Sequence, residues 1–141
     1  MTSPNPTGNK APASRVSPGS VCEALCDDSH NLIRIRYVGH VAAAEVKVVV
    51  ERLRALLPQV QKGFTLVTDL SALDSMELDC VPGLTNIMDS CKARGVSTVV
   101  RIIPDPHKDI GFNILSIVHY RRGVRVVNCH DAAEAERYIK K

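Results

Sequence analysis

Two aspartates and a cysteine near the middle of the chain are residue types that can accept hydrogen bonds, carry charge or act as a nucleophile. Asp69 directly follows an apolar run that begins at Phe64, and Asp79 and Cys80 come just before a predicted helix. In an open α/β sheet, the loop after a strand's carboxyl end commonly faces a helix N-terminus, where ligands and partners dock. The sequence therefore indicates a recognition site more clearly than a reaction.

Each of these residues also has a plainer interpretation. Asp69 could cap its own loop by accepting backbone N–H groups, and Asp79 could be a helix N-cap. Cys80 at a helix start could be a nucleophile, because that position can lower the pKa of a thiol. However, a phosphatase-type loop needs arginine six positions later, where Asn86 stands. The sequence also contains no Gly-rich phosphate loop and no nucleophile elbow, which favours a protein that is not an enzyme.

A second strand-to-helix loop, at residues 104–109, is expected to lie beside the first. His107 and Lys108 in this loop could bind an anion at a helix N-terminus, although solvated loop residues are the commoner case. A pocket between the two loops would suit a lipid or an anionic metabolite. A small-ligand-binding protein is therefore the alternative function.

Composition narrows the class of protein. The 141 residues carry a net charge of only +3, and the lysines and arginines are spread among acidic residues. This weak and diffuse positive charge argues against a nucleic-acid partner. No apolar run approaches the roughly 20 residues needed to span a membrane, and the N-terminus lacks the apolar core of a signal peptide, so we expect a cytoplasmic protein. Residues 1–20 are rich in Pro, Ser and Gly and predict a disordered tail, followed by a single domain over 21–141.

The five cysteines are scattered and odd in number, which predicts reduced thiols that mostly fill the core. Cys22 and Cys26 are the pair with the shortest spacing. On an extended strand, positions four apart lie about 13 Å from each other, too far to share one ion. We therefore expect neither a metal nor another cofactor.

Hydrophobic periodicity predicts alternating strands and helices in the order β-β-α-β-α-β-α-β-α. The strands are predicted over residues 21–26, 32–38, 64–68, 98–103 and 124–129, and the helices over 42–57, from 79 or 80 to 94, over 108–120, and from 131 onwards. Gly39 is expected to end the second strand, and Gly95 to end the second helix. This order predicts an α/β fold with a mixed sheet of about five strands and four helices, in which a β-hairpin precedes parallel crossovers.

Three stretches resemble the STAS domains, the family of bacterial anti-sigma factor antagonists, and look most similar to its divergent STAS/Sec14-like branch. They are the strand at residues 33–39, the strand at 66–73 that contains Asp-Leu-Ser, and the closing helix that begins Asp131-Ala-Ala-Glu-Ala. Together they span about residues 21–141. The resemblance implies a SpoIIAA-like fold and a non-enzymatic, regulatory protein-interaction module. It also implies a regulatory protein as partner, either an anti-sigma factor or a related kinase-like protein, and a possible homodimer.

The chain departs from the family at one functional position. Regulated members carry Asp-Ser-Ser or Asp-Ser-Thr, then Gly, at the start of the second helix, and a kinase phosphorylates the second hydroxyl residue. Here Val81 holds that position and offers no hydroxyl, while Ser71 or Ser75 could substitute for it. The expected partner-binding surface comprises Asp69, Ser71, Ser75, Met76, Leu78, Asp79 and Cys80.

Overall fold

The fold is a five-stranded sheet with helices on both faces, seen in a computed structural model that describes residues 22–103 and 123–139. Its elements, in chain order, are β1 (Cys22–Asp27), β2 (Leu32–Val41), α1 (Ala43–Leu56), β3 (Thr65–Met76), α2 (Val81–Arg94), β4 (Thr98–Ile102), β5 (Arg125–Cys129) and α3 (Ala132–Ile139). The mixed sheet of five strands is confirmed. The predicted tail at 1–20, the predicted helix over 108–120, and His107 and Lys108 all lie outside the described residues.

The strand order follows the chain, β1-β2-β3-β4-β5. β1 and β2 form the predicted antiparallel hairpin, and every later neighbour is parallel. Parallel neighbours require crossover connections, which α1 supplies between β2 and β3 and α2 supplies between β3 and β4. The carboxyl ends of β2, β3, β4 and β5 consequently point toward one edge of the sheet, the edge where the sequence places its candidate residues.

Two clusters of buried side chains flank the sheet. The larger one combines α1 and α2 with one sheet face, and it includes Ile33, Ile35 and Tyr37 from β2. The smaller one joins α3 to the opposite face and includes Val67 and Ile102. Because successive strand residues point to opposite faces, β3 and β4 contribute to both clusters. This explains why apolar residues adjoin each other in both strands, as at Leu66–Val67 and Val99–Val100.

The longest strand, β3, runs through a segment predicted to be a polar loop. The sequence predicts a strand only over residues 64–68, whereas β3 continues to Met76. β2 likewise passes through Gly39, its predicted end, and stops at Val41. The two strands remain paired as far as Val41 and Met76. The predicted loop directly after Asp69 is therefore wrong.

Two bulges in the β2–β3 ladder explain the error. From the Arg36–Asp69 pair to the Val38–Ala72 pair, β3 advances by three residues and β2 by only two, so β3 holds one extra residue there. A second extra residue of β3 follows Leu73. Each extra residue interrupts the period of two that marks a strand. Leu70 and Leu73 consequently both reach the core, although an alternating strand would send them to opposite faces.

Two helix ends, the C-terminal end of α2 and the N-terminal end of α3, lie where the sequence predicts them. Gly95, at φ 97°, ends α2 and donates its N–H to the carbonyl of Cys91 at 3.1 Å, as a left-handed C-terminal glycine should. At α3, the carboxylate of Asp131 accepts the N–H of Glu134 at 2.8 Å, and Glu134 reaches back to the N–H of His130 at 2.7 Å. Asp131 therefore caps α3 at the predicted start of the helix, while Glu134 bonds the residue before the cap.

Helices α1 and α2 approach each other closely at Gly83. A Cβ atom built on Gly83 would lie 2.6 Å from Cγ1 of Val46, so the absence of a side chain is what allows this contact. At the start of α1, buried Glu45 accepts the N–H of Ala42 at 2.6 Å through Oε1. These two contacts anchor the N-terminal turns of both helices beside the carboxyl edge of the sheet.

Candidate partner-binding surface

The carboxyl ends of β2 and β3 project beyond their neighbours as a two-stranded ribbon, formed by residues 38–41 and 72–76. Within the described part of the chain, β1 pairs with β2 only as far as Tyr37, and β4 pairs with β3 only as far as Asp69. One face of the ribbon sends Val41 and Leu73 into the core. The other face carries exposed His40, so the ribbon offers a polar surface beside the start of α2.

Asp69 lies inside β3, opposite Ile102, the last residue of β4. Its Oδ1 accepts hydrogen bonds from the backbone N–H of Ser71 at 2.9 Å and from the Ser71 hydroxyl at 2.6 Å. Its Oδ2 lies 3.8 Å from Nε of Arg36 on the neighbouring strand. Asp69 accepts a backbone N–H, as its interpretation as a local cap predicts, but it does so at the first bulge of β3 and not in a loop.

Ser75 takes part in a polar array that the sequence did not reveal. His40 lies opposite Ser75 in the ladder, and its Nδ1 is 2.5 Å from the Ser75 hydroxyl. The other ring nitrogen, Nε2, is 2.8 Å from a carboxylate oxygen of Glu77, the residue after β3. The register of two parallel strands, with a bulge just before Ser75, creates this proximity, and no sequence spacing encodes it.

After β3 the chain makes a short 3₁₀ turn over Leu78–Cys80, here called the docking turn. The backbone N–H of Cys80 donates to the carbonyl of Glu77 at 3.0 Å, and the N–H of Glu77 donates to the carbonyl of Val41 at 3.0 Å. These bonds fix the docking turn against the end of β2. Leu78 at its tip is 87% exposed, the largest exposed fraction among the large apolar residues described.

The predicted contact residues in and just before the docking turn differ in their exposure to solvent. Leu78 and Asp79 face solvent, whereas Met76 is half-buried and packs against the larger core cluster. Cys80 is buried with 1% of its surface exposed, so its prediction as a surface contact is wrong. Asp79 does not cap α2 either, because Cys80 occupies the N-cap position and no described side chain bonds there.

The environment of Cys80 opposes a nucleophilic role. Its thiol donates to the carbonyl of Val41 at 3.5 Å inside the core. Burial raises its pKa from 9.0 to about 11, and the neighbouring charge of Asp79 adds to the rise. A nucleophilic cysteine needs the opposite shift, toward an exposed thiolate at neutral pH. The alternative of a reactive Cys80 is therefore not supported by the structure.

A groove of about 360 Å³ runs along most of α1 and past the N-terminal half of α2, next to the docking turn. Lys47 and Arg54 line it on the α1 side, and Asp79, Gly83 and Asn86 line it on the α2 side. The two cations are offset by Asp79 and by Glu51, which pairs with Arg54 at 3.0 Å. The groove consequently has no strong charge of one sign.

Arg101 is a buried charged residue outside the sites predicted from the sequence. It lies on β4 opposite Thr68 and is 1% exposed. Its Nη1 donates to the side-chain oxygen of Asn128 on β5 at 3.2 Å. An arginine within an otherwise apolar strand is a visible sequence signal, because buried charges require partners.

The cysteines and the carboxylates do not assemble a metal site in the described residues. No group of three or more His, Cys, Asp or Glu side chains in residues 22–103 and 123–139 is placed to hold an ion. All five cysteines are free, and Cys22 and Cys26 both lie on β1 as predicted. None of the described helices is long and apolar enough to cross a membrane.

The topology is that of a STAS-like α/β fold, and comparison with solved structures supports this fold. The chain matches an uncharacterised protein of the DUF3478 family with a SpoIIAA-like fold, from Shewanella loihica PV-4, with a TM-score of 0.65 and 11% identity, over 86% of this chain and 95% of that chain.

Two anti-sigma factor antagonists also match. One is SpoIIAA in its unphosphorylated form, with a TM-score of 0.57 and 16% identity, over 84% of this chain and 94% of that one. The other comes from Mycobacterium paratuberculosis, with a TM-score of 0.55 and 16% identity, over 89% of this chain and 98% of that one. No protein-family model matches the sequence, and no curated protein matches it. At these identities the likeness concerns the fold.

Proposed function

We propose that the protein is a non-enzymatic, regulatory protein-interaction module that docks a partner protein through its docking turn and the adjoining ribbon. The observation that carries this proposal is the position of Leu78. This large apolar side chain is 87% exposed, and it stands on a turn that backbone hydrogen bonds hold in place. It is therefore already positioned to enter an apolar pocket of a partner. Val81, 38% exposed at the start of α2, extends the apolar area.

The chemistry around Leu78 indicates what the partner must offer. A pocket that buries Leu78 would gain about 1.5–3 kcal/mol, the usual contribution of one leucine side chain. The carboxylate of the adjacent Asp79 supplies a polar group for a rim, and the hydroxyls of Ser71 and Ser75 lie on β3, the strand that leads to the turn. Such a centre and rim are typical of protein interfaces. The complementary surface would therefore combine an apolar pocket with hydrogen-bond donors for the carboxylate.

The fold comparison agrees with this type of function. Two of the matched structures are named as anti-sigma factor antagonists, that is, proteins that act on a regulatory protein. For this chain we propose a partner of the same kind, either an anti-sigma factor or a related kinase-like protein. We also propose that docking is not switched by phosphate at position 81, because Val81 has no hydroxyl group.

Affinity capture from a lysate of the native host tests the proposal, with the immobilised full chain and its Leu78→Ala variant as bait. Captured proteins are identified by mass spectrometry, and the dissociation constant of any protein that depends on Leu78 is then measured. Loss of the buried leucine contact is expected to weaken binding by about 10- to 100-fold.

The matched control is Leu25→Ala, which alters another exposed leucine (53% exposed) on β1. This variant should bind within about twofold of the unaltered chain, as expected for a residue outside an interface. Equal capture by the Leu78→Ala bait and the unaltered bait would contradict the proposal.

A further inference from the structure

His40 connects the ribbon to the residue that begins the docking turn. Its Nδ1 faces the hydroxyl of Ser75 at 2.5 Å, and its Nε2 faces the carboxylate of Glu77 at 2.8 Å. The imidazole therefore bridges a residue on β3 and the residue immediately after that strand.

The two partners determine which ring nitrogen carries the proton in the neutral imidazole. A carboxylate can only accept, so Nε2 must donate to Glu77. Nδ1 then has a lone pair and accepts the hydroxyl proton of Ser75. The array thus stabilises one tautomer and one orientation of the ring.

Glu77 is the residue through which this orientation reaches the docking turn. Its backbone carbonyl accepts the N–H of Cys80 and so closes the turn, while its backbone N–H is bonded to the carbonyl of Val41. These two bonds leave the side chain as the remaining group that can move. His40 holds this carboxylate directly, and it also holds the hydroxyl of Ser75, two residues earlier in the chain.

We propose that His40 is a positioning residue for the docking turn, acting through Glu77 and Ser75 to hold Leu78 in its exposed orientation. The role of this positioning in partner recognition rests on the function proposed above. The positioning itself is a property of the isolated chain. Because the His40 and Glu77 side chains are 58% and 45% exposed, the effect is local and leaves the global fold intact.

Amide hydrogen exchange of the full chain, measured by NMR, tests the proposal directly. In the His40→Ala variant, the amides of Glu77 and Cys80 are expected to exchange about two- to fivefold faster, the range expected for removal of an exposed, charge-assisted pair. His40→Gln should restore part of the protection, because its amide can donate to Glu77 in place of Nε2. In the unaltered chain, imidazole ¹⁵N shifts should show a protonated Nε2 and an accepting Nδ1.

The hairpin between β1 and β2 offers a matched control. His30 is also exposed there, with its Nδ1 2.9 Å from the carboxylate of Asp27 and 3.1 Å from the hydroxyl of Ser29. His30→Ala removes a similar array from a different edge of the sheet and should leave exchange at Glu77 and Cys80 unchanged. Unchanged exchange in His40→Ala, or the opposite tautomer, would overturn the proposal.

The exchange measurement also separates this proposal from the proposed function. If His40→Ala accelerates exchange while Leu78→Ala leaves capture unaffected, His40 positions the turn but the turn is not the partner-binding surface. If exchange is unchanged while Leu78→Ala abolishes capture, the docking function holds and the positioning role of His40 fails. Each proposal can therefore fail without the other.

Discussion

Replacing Gly83 with alanine tests how closely α1 and α2 are packed. The added methyl group would lie 2.6 Å from Cγ1 of Val46, closer than two carbon atoms can approach without displacement. Val46 cannot easily move away, because it is 1% exposed and its branched side chain has one strongly preferred rotamer in a helix.

Two opposing contributions determine the size of the effect. Alanine is favoured over glycine by up to about 1 kcal/mol in a helix, and the gain is smaller in the first turn, where Gly83 lies. Overpacking a filled interior costs about 1–3 kcal/mol. With a helix gain of about 0.5 kcal/mol in the first turn, we expect Gly83→Ala to lower the free energy of unfolding by about 0.5–2.5 kcal/mol.

Urea unfolding at pH 7 measures this change, and a double-mutant cycle assigns its cause. Val46→Ala alone should destabilise by leaving a cavity. In the double variant the new methyl group at position 83 occupies part of that cavity. The loss of unfolding free energy in the double variant should therefore be smaller than the sum of the two single-variant losses by about 1 kcal/mol or more. A more stable Gly83→Ala protein, or strictly additive effects, would refute the close packing.

Three further predictions concern stability. Glu45→Ala leaves the N–H of Ala42 without its buried acceptor and should cost about 1–3 kcal/mol in urea unfolding, with Glu45→Gln recovering part of it. Arg94→Ala removes bonds of 2.9 and 2.7 Å to carbonyl groups after α1 and should lower the urea midpoint by an amount equivalent to about 1–2 kcal/mol; Arg94→Lys should not restore it fully. Burial raises the pKa of Cys80 to about 11 and of Cys91 to about 12, from 9.0. The unfolded chain therefore releases these protons first, so stability present below pH 9 should decline between pH 9 and about 12. Urea midpoints at pH 8, 10 and 11 check the decline, and Cys91→Ala should make it shallower.

Much of the architecture could be predicted because the relevant signals are local. Apolar periodicity located all five strands and α1, glycine chemistry located the end of α2, and Asp131 and Glu134 marked the start of α3. Alternation of helices and parallel strands then indicated the α/β class. These features depend on residues a few positions apart, which a sequence displays directly.

The candidate site was harder to predict because its geometry depends on long-range pairing. Bulges concealed the second half of β3 by placing Leu70 and Leu73 on the same face. The contact of His40 with Ser75 depends on the register between β2 and β3, which is settled only when both strands are in the sheet. The burial of Cys80 follows from the 3₁₀ turn that directs its thiol toward Val41 rather than toward solvent.

The two bulges of β3 also determine where this strand can tolerate a change in its length. Ser71 and Asp74 are the extra residues of the two bulges. Removing either would restore regular pairing at its bulge, and Leu70, Leu73 and Met76 would stay on the same face of the sheet. The same deletion at Val67, in the regular part of the strand, would turn every following side chain to the opposite face. Natural variants that shorten the protein beside the proposed partner-binding surface should therefore concentrate at these two positions, where the outline of the surface can vary while the interior stays the same.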